Sequence, residues 1–328
     1  MKRDGSTRLV AAAIIIGLSL LWGSQAQAQK KIRFAYPSVA DMGDVPSLLA
    51  WSQLKEQGYE VVPRFFSKTD LAVQAVIAGE ADMGAAAGIA VIKAIEQGIN
   101  LKIFAEQVRN EWQLMAPVSI KEPKQLDGKR VAYHAPFSLT EALVKWMANY
   151  YKLSPQWMII PGSEVRAEAL MRGQIDATPA EIADVLNVLE SKPGQFHVLL
   201  SYAKIFPELL GTVYFARTDY LQTNGPVVEA VLEAVLRTHR TTEENPGQAK
   251  EAALKLLPGT KPGTIDAITK NYRDLRIWDV NGGVSRERGE GSLKFFEETG
   301  LMKKGVLNFE RVFAPEHLEK ALKKIGRR

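Results

Sequence analysis

The sequence predicts two similar α/β lobes, each built on a parallel sheet, and three observations carry that expectation. Two four-residue segments recur almost a hundred positions further on. Short β-type runs alternate with apolar-periodic helical stretches of about ten residues, the pattern of parallel sheets covered by helices. A β-rich run at 212–216 follows the second series and reads as a return to the first sheet.

The recurring segments place the elements. Arg33-Phe34-Ala35-Tyr36 matches Arg130-Val131-Ala132-Tyr133, and each opens a unit with a short strand. Gly79-Glu80-Ala81-Asp82 matches Gly173-Gln174-Ile175-Asp176, and each ends a helix at a glycine and leads into a strand. The helices before these glycines run over 69–78, with Val73, Val76 and Ile77 on one face, and over 164–172, with Val165, Ala169 and Leu170. Lobe one has strands at 32–36, 59–66, 81–84 and 101–105. The chain leaves it near 112–119, passes the polar linker Lys121-Glu122-Pro123-Lys124, and turns at Leu126-Asp127-Gly128-Lys129. Lobe two has strands at 130–133, 157–160, 175–178 and 196–200. Helices at 226–244, 247–256, 264–275, 285–299 and 315–325 form a C-terminal extension packed on lobe one. The expected division is 29–116 with 213–328 for lobe one and 117–212 for lobe two. Two crossings make a two-strand hinge able to close over a cleft.

Composition agrees with this size. The 328 residues are 46% hydrophobic and 24% charged, enough for two ordinary cores. The absence of cysteine excludes a disulfide framework, a thiolate metal site, an iron–sulfur cluster, a cysteine nucleophile and a lipid-anchored N-terminus. Residues 1–28 read as a secretory signal peptide: Lys2, Arg3 and Arg8, then the apolar run 9–22, then Ala26-Gln27-Ala28. Cleavage after Ala28 removes three positive residues and Asp4, so the net charge falls from +5 to +3. An exported, periplasmic monomer is expected. So small a charge gives no reason to expect nucleic acid or a membrane surface as partner. The basic C-terminus alternates with Leu318, Leu322 and Ile325 at helical spacing and reads as a solvated helix face.

Ligands of open parallel sheets sit beyond the carboxyl ends of the strands, where helix N-termini direct N–H groups outward. The repeat therefore nominates matching loops. The loop 37–45 offers Ser38, Asp41 and Met42, and the next offers Ser67, Lys68 and Thr69. Small residues at Ala86, Ala87 and Gly88 allow close approach to backbone N–H groups. In the second lobe the candidates are His134, Phe137 and Ser138, then Pro179 and Glu181. Arg109 and Trp112 stand at the first crossing, and Arg166 in the first turn of a helix, where a cation opposes the dipole unless it has an anionic partner. A plainer role competes at two places. Ser138-Leu139-Thr140-Glu141 and Thr178-Pro179-Ala180-Glu181 both have the form of capping boxes. The cations Lys68, Arg109, His134 and Arg166 favour an anionic solute.

Catalytic signals are weak. The four histidines fit no metal spacing, and the chain has no G-x-S-x-G elbow, phosphate-binding P-loop or G-x-G-x-x-G fingerprint. No cofactor or metal is expected.

Taken together, these segments resemble a known family. Ala78-Gly79-Glu80-Ala81-Asp82-Met83-Gly84, Leu126-Asp127-Gly128-Lys129-Arg130-Val131-Ala132 and Gly173-Gln174-Ile175-Asp176-Ala177 occur in this order in periplasmic solute-binding proteins of ABC importers. Thr218-Asp219-Tyr220-Leu221 before a long helix and Glu244-Asn245-Pro246 after it extend the likeness. The chain is most similar to the nitrate/sulfonate/taurine group, which shares its fold with thiamine-pyrimidine-precursor (NMT1/THI5-like) proteins. The resemblance implies a type II periplasmic-binding fold, hinge closure on a small solute, and delivery to a membrane permease with its ATPase subunit. The loop His134-Ala135-Pro136-Phe137-Ser138 departs from the glycine- and serine-rich pattern of many relatives. That leaves a sulfonate, nitrate or carboxylate (aromatic or not), or a neutral or cationic solute such as a pyrimidine precursor, as ligand. The rivals to transport are an enzyme on the same fold and a receptor-coupled sensor.

Overall fold

The structure is a computed structural model and describes residues 29–257 and 262–328. The expected signal peptide lies outside the described residues. None of the described helices is long and apolar enough to cross a membrane.

Among the described residues, ten strands and their helices follow the anticipated order closely. The first sheet holds β1 (Lys30–Tyr36), β2 (Tyr59–Phe65), β3 (Met83–Ala87), β4 (Leu101–Val108) and β10 (Thr212–Arg217), in the order β2-β1-β3-β10-β4. β1 runs parallel to β2 and β3, whereas β10 is antiparallel to β3 and β4. The helices α1 (Val45–Glu56), α2 (Thr69–Ile77) and α3 (Gly88–Glu96) connect its parallel strands.

In the second half, β5 (Gln113–Pro117) is antiparallel to both β8 (Thr178–Ala180) and β9 (Phe196–Ser201). β6 (Arg130–Tyr133) pairs in parallel with β7 (Gln156–Ile159), and a parallel bridge joins Val131 to Ala177 just before β8. Followed through that bridge, the order β7-β6-β8-β5-β9 repeats β2-β1-β3-β10-β4. The chain passes between the sheets after β4 and again before β10. Each lobe thus contains one antiparallel strand that enters from the other, a correction to the wholly parallel sheets expected. The helices α4 (Leu139–Tyr151), α5 (Ser163–Met171) and α6 (Ile182–Ser191) complete the unit.

The sequence repeat has a physical cause. The Arg33 backbone N–H and guanidinium all bond the Asp82 carboxylate, at 2.8, 3.2 and 2.5 Å. Arg130 grips Asp176 with the same atoms, at 2.8, 3.0 and 2.9 Å. Each clamp ties the first strand of its unit to the segment entering the third. The preceding glycines, Gly79 at φ +74° and Gly173 at φ +67°, end α2 and α5 in the left-handed region, where a side chain is strained.

The C-terminal helices pack where expected and also further. The amphipathic helix Glu316–Ile325 buries Leu318, Ala321 and Leu322, with Lys324 bonded to Glu233 on the helix Gly225–Glu244. A bridge from Phe313 to Ile103 fastens the same region to β4. The helices Pro246–Leu256 and Pro262–Asp274 form a second small core with Met42 and Val45, and this core also takes in Ile182 of α6. The extension therefore touches helices belonging to both α/β units.

Candidate functional site

A cavity of about 370 Å³ opens where the carboxyl ends of both sets of strands face each other. From the first sheet it is lined by Ser38 and Asp41 after β1, Ser67 and Thr69 after β2, Ala87 at the end of β3, and Gln107 to Arg109 at the end of β4. From the second it takes His134 and Ser138 after β6, Pro161 to Glu164 after β7, and Glu181 after β8. Glu111 and Trp112, on the crossing between β4 and β5, line it as well. Strand ends deliver these groups because each parallel strand must hand over to a helix at that edge, leaving loop side chains and helix N-termini there.

Among the candidates, Ser38, Asp41, Ser67, Thr69, Ala87, Arg109, Trp112, His134, Ser138 and Glu181 line the cavity. Seven others do not. Met42 is buried in the small helical core. Ala86 lies within β3, paired with Val213, because that strand runs three residues beyond its expected end. Gly88 donates its N–H to the Gly211 carbonyl at 3.0 Å. Lys68 is exposed outside the lining. Phe137, at φ +57°, turns its ring towards Lys93, whose Nζ stands 5.5 Å from the centroid.

Arg166 and Pro179 form part of the wall behind the cavity. Arg166 is 0% exposed. Its Nε donates to Thr178 Oγ1 at 3.0 Å, Nη1 to the Ile160 and Gly162 carbonyls at 3.1 and 2.9 Å, and Nη2 to the Pro179 carbonyl at 3.2 Å. Its guanidinium also lies 5.7 Å from the Trp112 ring. Burial lowers its pKa to about 10, still well above neutral pH. Arg166 is thus committed to tying the loop after β7 to strand β8.

The two capping readings separate. Ser138 caps α4, accepting from the Glu141 N–H at 3.2 Å, while Glu141 accepts from the Phe137 N–H at 2.7 Å. Thr178 caps nothing: it lies in β8, and α6 begins only at Ile182 with Glu181 at its N-cap. The Glu181 side chain makes no capping bond to that helix. Its carboxylate is left to the cavity.

Carboxyl groups outnumber the expected cations in the lining. Asp41, Asp44, Glu111, Glu164 and Glu181 all line the cavity, and Asp184 acts on Asp41, Glu111 and Glu181 from α6. Burial, reinforced by mutual repulsion, pushes up the pKa values of Asp41, Asp44, Glu111 and Glu181. Glu111 rises to about 8, through burial and the Asp41 charge, against donation from Tyr272 and the Ile182 N–H. Asp41 rises to about 6, through burial and the charges of Asp184 and Glu164. Glu181 rises well above the carboxylate range, through burial and then Asp41, Glu111 and Asp184.

Of the cations meant to attract an anion, Arg166 is engaged in the wall and Lys68 stands outside the lining. Arg109 pairs with Asp279. His134 falls to about 4 through burial and the Arg166 charge, and its Nδ1 accepts the Gly162 N–H at 3.1 Å, as a neutral imidazole can. Asp44, Gln107, Glu111 and Glu164 are the charged and amide lining residues that sequence reasoning missed, along with the hydroxyls of Thr140, Ser163 and Thr212. The segment Glu106-Gln107-Val108-Arg109-Asn110-Glu111-Trp112 offered a signal, since it is unusually polar for the end of a buried strand and was read only for Arg109 and Trp112.

The comparisons with known proteins follow the geometry. A sequence profile described as NMT1/THI5 like matches residues 54–249. No curated protein matches the chain in sequence. Among solved structures, the chain is similar to the ligand-binding component of an ABC-type import system from Staphylococcus aureus, solved with zinc bound. The TM-score is 0.72 at 13% identity, over 89% of this chain and 99% of that one. The periplasmic aliphatic sulphonate-binding protein SsuA from Escherichia coli gives 0.69 at 21% identity, over 87% and 92%. The periplasmic nitrate-binding protein NrtA from Synechocystis PCC 6803 gives 0.68 at 10% identity, over 91% and 89%. These likenesses show the periplasmic-binding fold with its two lobes.

Proposed function

We propose that this chain, which belongs to the NMT1/THI5-like family, is the solute-binding component of an ABC importer. It captures a small solute between its lobes by hinge closure and passes it, chemically unchanged, to a membrane permease served by an ATPase subunit. The observation that carries this reading is the cavity of about 370 Å³ lined from the carboxyl ends of both sheets. A solute touching both sets of loops is bound more tightly in the closed form and so shifts the population towards it. The working form in this reading is a monomer exported to the periplasm after loss of residues 1–28. Its lobes are 29–116 with 213–328 and 117–212, and the second begins to form its sheet at Gln113. The sulphonate and nitrate named for two neighbours are not carried over, because their identity to this chain is low and the cavity is lined by carboxyl groups.

The test is solute capture by the mature protein. Mass spectrometry of the supernatant after denaturation should reveal a small molecule carried through purification, or the emptied protein should show a thermal shift with one class of solute. A ligand at a hundred times its Kd adds about 2.7 kcal/mol of stability, which is a visible shift. An empty supernatant together with no shift across anions, neutral bases and cations would remove the proposal.

A further inference from the structure

We propose that the cleft takes a small organic cation carrying N–H donors, an ammonium or amidinium ion, held between Asp41 and Glu181 with Gln107 and Trp112 alongside. The inference rests on the solute-binding reading above and names the chemistry of its ligand.

Two observations call for the same partner. Asp41 stands after β1 and Glu181 after β8, so carboxylates from the two lobes line one cavity. Asp41 accepts the Gly43 N–H at 2.7 Å through Oδ1 and also caps the Asp44 N–H, while the Glu181 side chain makes no capping bond to α6. Both groups have acceptor capacity to offer a ligand. Independently, Gln107 is 1% exposed and lines the same cavity. Its Nε2 donates to Asp44 and Ser47 at 2.7 and 3.2 Å, which leaves Oε1 buried without a hydrogen-bond partner among the described residues. A buried acceptor without a donor is costly in a folded protein unless a ligand supplies one. Carboxylates and an orphaned amide oxygen together ask for N–H groups and positive charge.

The cavity also limits the size and type of cation. No cluster of three or more His, Asp or Glu among the described residues is arranged to hold a metal ion. Trp112 supplies an aromatic surface beside the acids, which suits a protonated nitrogen attached to an organic frame. A sulfonate or nitrate in this position would face acids on both sides, with Arg109 already paired to Asp279.

The experiment is equilibrium binding to the mature, emptied protein by calorimetry and thermal shift. The probes are benzamidinium, agmatine and putrescine, with tetramethylammonium as a cation lacking N–H donors, and nitrate, methanesulfonate and benzoate as anions. At least one N–H cation should bind, and tetramethylammonium should bind at least tenfold more weakly. Glu181→Gln should weaken that cation at least tenfold with the empty protein's Tm not reduced, and Asp41→Asn should repeat the effect from the other lobe. Binding confined to anions would overturn the cation inference while leaving solute capture intact. Equal affinity for tetramethylammonium, or undiminished binding in both variants, would overturn it too. No shift with any probe would overturn it as well, and an empty denatured supernatant in addition would remove the solute-binding reading itself.

Discussion

The Tyr272 hydroxyl lies 2.7 and 2.8 Å from the two carboxylate oxygens of Glu111. This contact ties the helix Pro262–Asp274 to the crossing between the lobes. Both side chains are buried, and the Ile182 N–H completes the set by donating to Glu111 Oε2 at 3.1 Å. One carboxyl group therefore joins the C-terminal extension, the crossing strand and α6. Tyr272→Phe removes a donor from a buried acid, a loss of about 1–3 kcal/mol. The Tm should fall by several degrees in calorimetry; an unchanged Tm would mean the hydroxyl contributes nothing.

Glu111 also predicts how stability depends on pH. Its folded pKa of about 8 lies above the ordinary 4.5 of the unfolded chain, so between these values only the folded state keeps the proton. The stability this provides is complete below about pH 4.5 and is lost as pH rises through about 8. His134, lowered from 6.5 to about 4, works in the opposite sense, its contribution being lost as pH falls through that range. Above pH 6.5 the Glu111 effect stands apart from that of His134. The Tm of the empty protein should decline from pH 6.5 to 8, with the raised Glu181 carboxyl acting in the same sense, and Glu111→Gln should lessen that decline. An identical slope in the variant would contradict the assignment.

Arg166 should behave as a structural residue. Its guanidinium satisfies three carbonyls and a hydroxyl with no exposure to solvent. Arg166→Ala leaves those acceptors buried and opens a void, so a loss of roughly 2–5 kcal/mol is expected. Urea unfolding reads this directly through the midpoint. A variant of native stability with altered solute affinity would restore Arg166 to the binding surface.

The paired clamps make a matched prediction. Asp82→Asn and Asp176→Asn each weaken one charge-assisted grip on a strand-opening arginine, at a cost of about 1 kcal/mol apiece. The two sit in different sheets, so the double variant should show the sum. Strong non-additivity in denaturant titrations would show that the lobes unfold as a coupled pair through these sites.

Gly211 stands where the returning chain meets the end of β4. A Cβ there would lie 2.3 Å from the Val108 carbonyl oxygen, and backbone is on the far side of the clash. The Gly211 N–H also donates to the buried Glu106 carboxylate at 3.0 Å, which Arg288 holds at 2.5 and 3.1 Å. Gly211→Ala must push these strands apart and should cost several kcal/mol, beyond the usual range for a single substitution. A Tm within a degree or two of the parent would show that the crossing is softer than its packing implies.

Much of the fold was legible because its signals are local. Strand and helix order follows from apolar periodicity, and β6 (Arg130–Tyr133) and the helix Thr69–Ile77 fall within a residue of their expected limits. The repeat at Arg33 and Arg130 was visible because a clamp needs the same residue types wherever it is built. Strand order then indicated which loops line the cleft, and ten of the seventeen candidates do so. The misses share one cause. Whether Thr178 caps a helix or opens a strand depends on β5 pairing beside it, a contact with residues more than sixty positions away. Ala86 was expected in a loop and lies in a strand because β10 returns from the far lobe to extend β3.

Charge shows the division most sharply. The sequence by itself determined that the chain carries repeated α/β units, a cleft at their carboxyl ends, and a modest excess of basic residues over acidic ones. Only the tertiary structure decided which of those charges face the cleft. It turned Arg166 into the wall, paired Arg109 with Asp279, kept His134 neutral, and left Asp41, Glu111 and Glu181 around the cavity. The physical reason is that an ionisable group's role depends on its burial and its partners, and these are properties of packing that no residue carries along the chain.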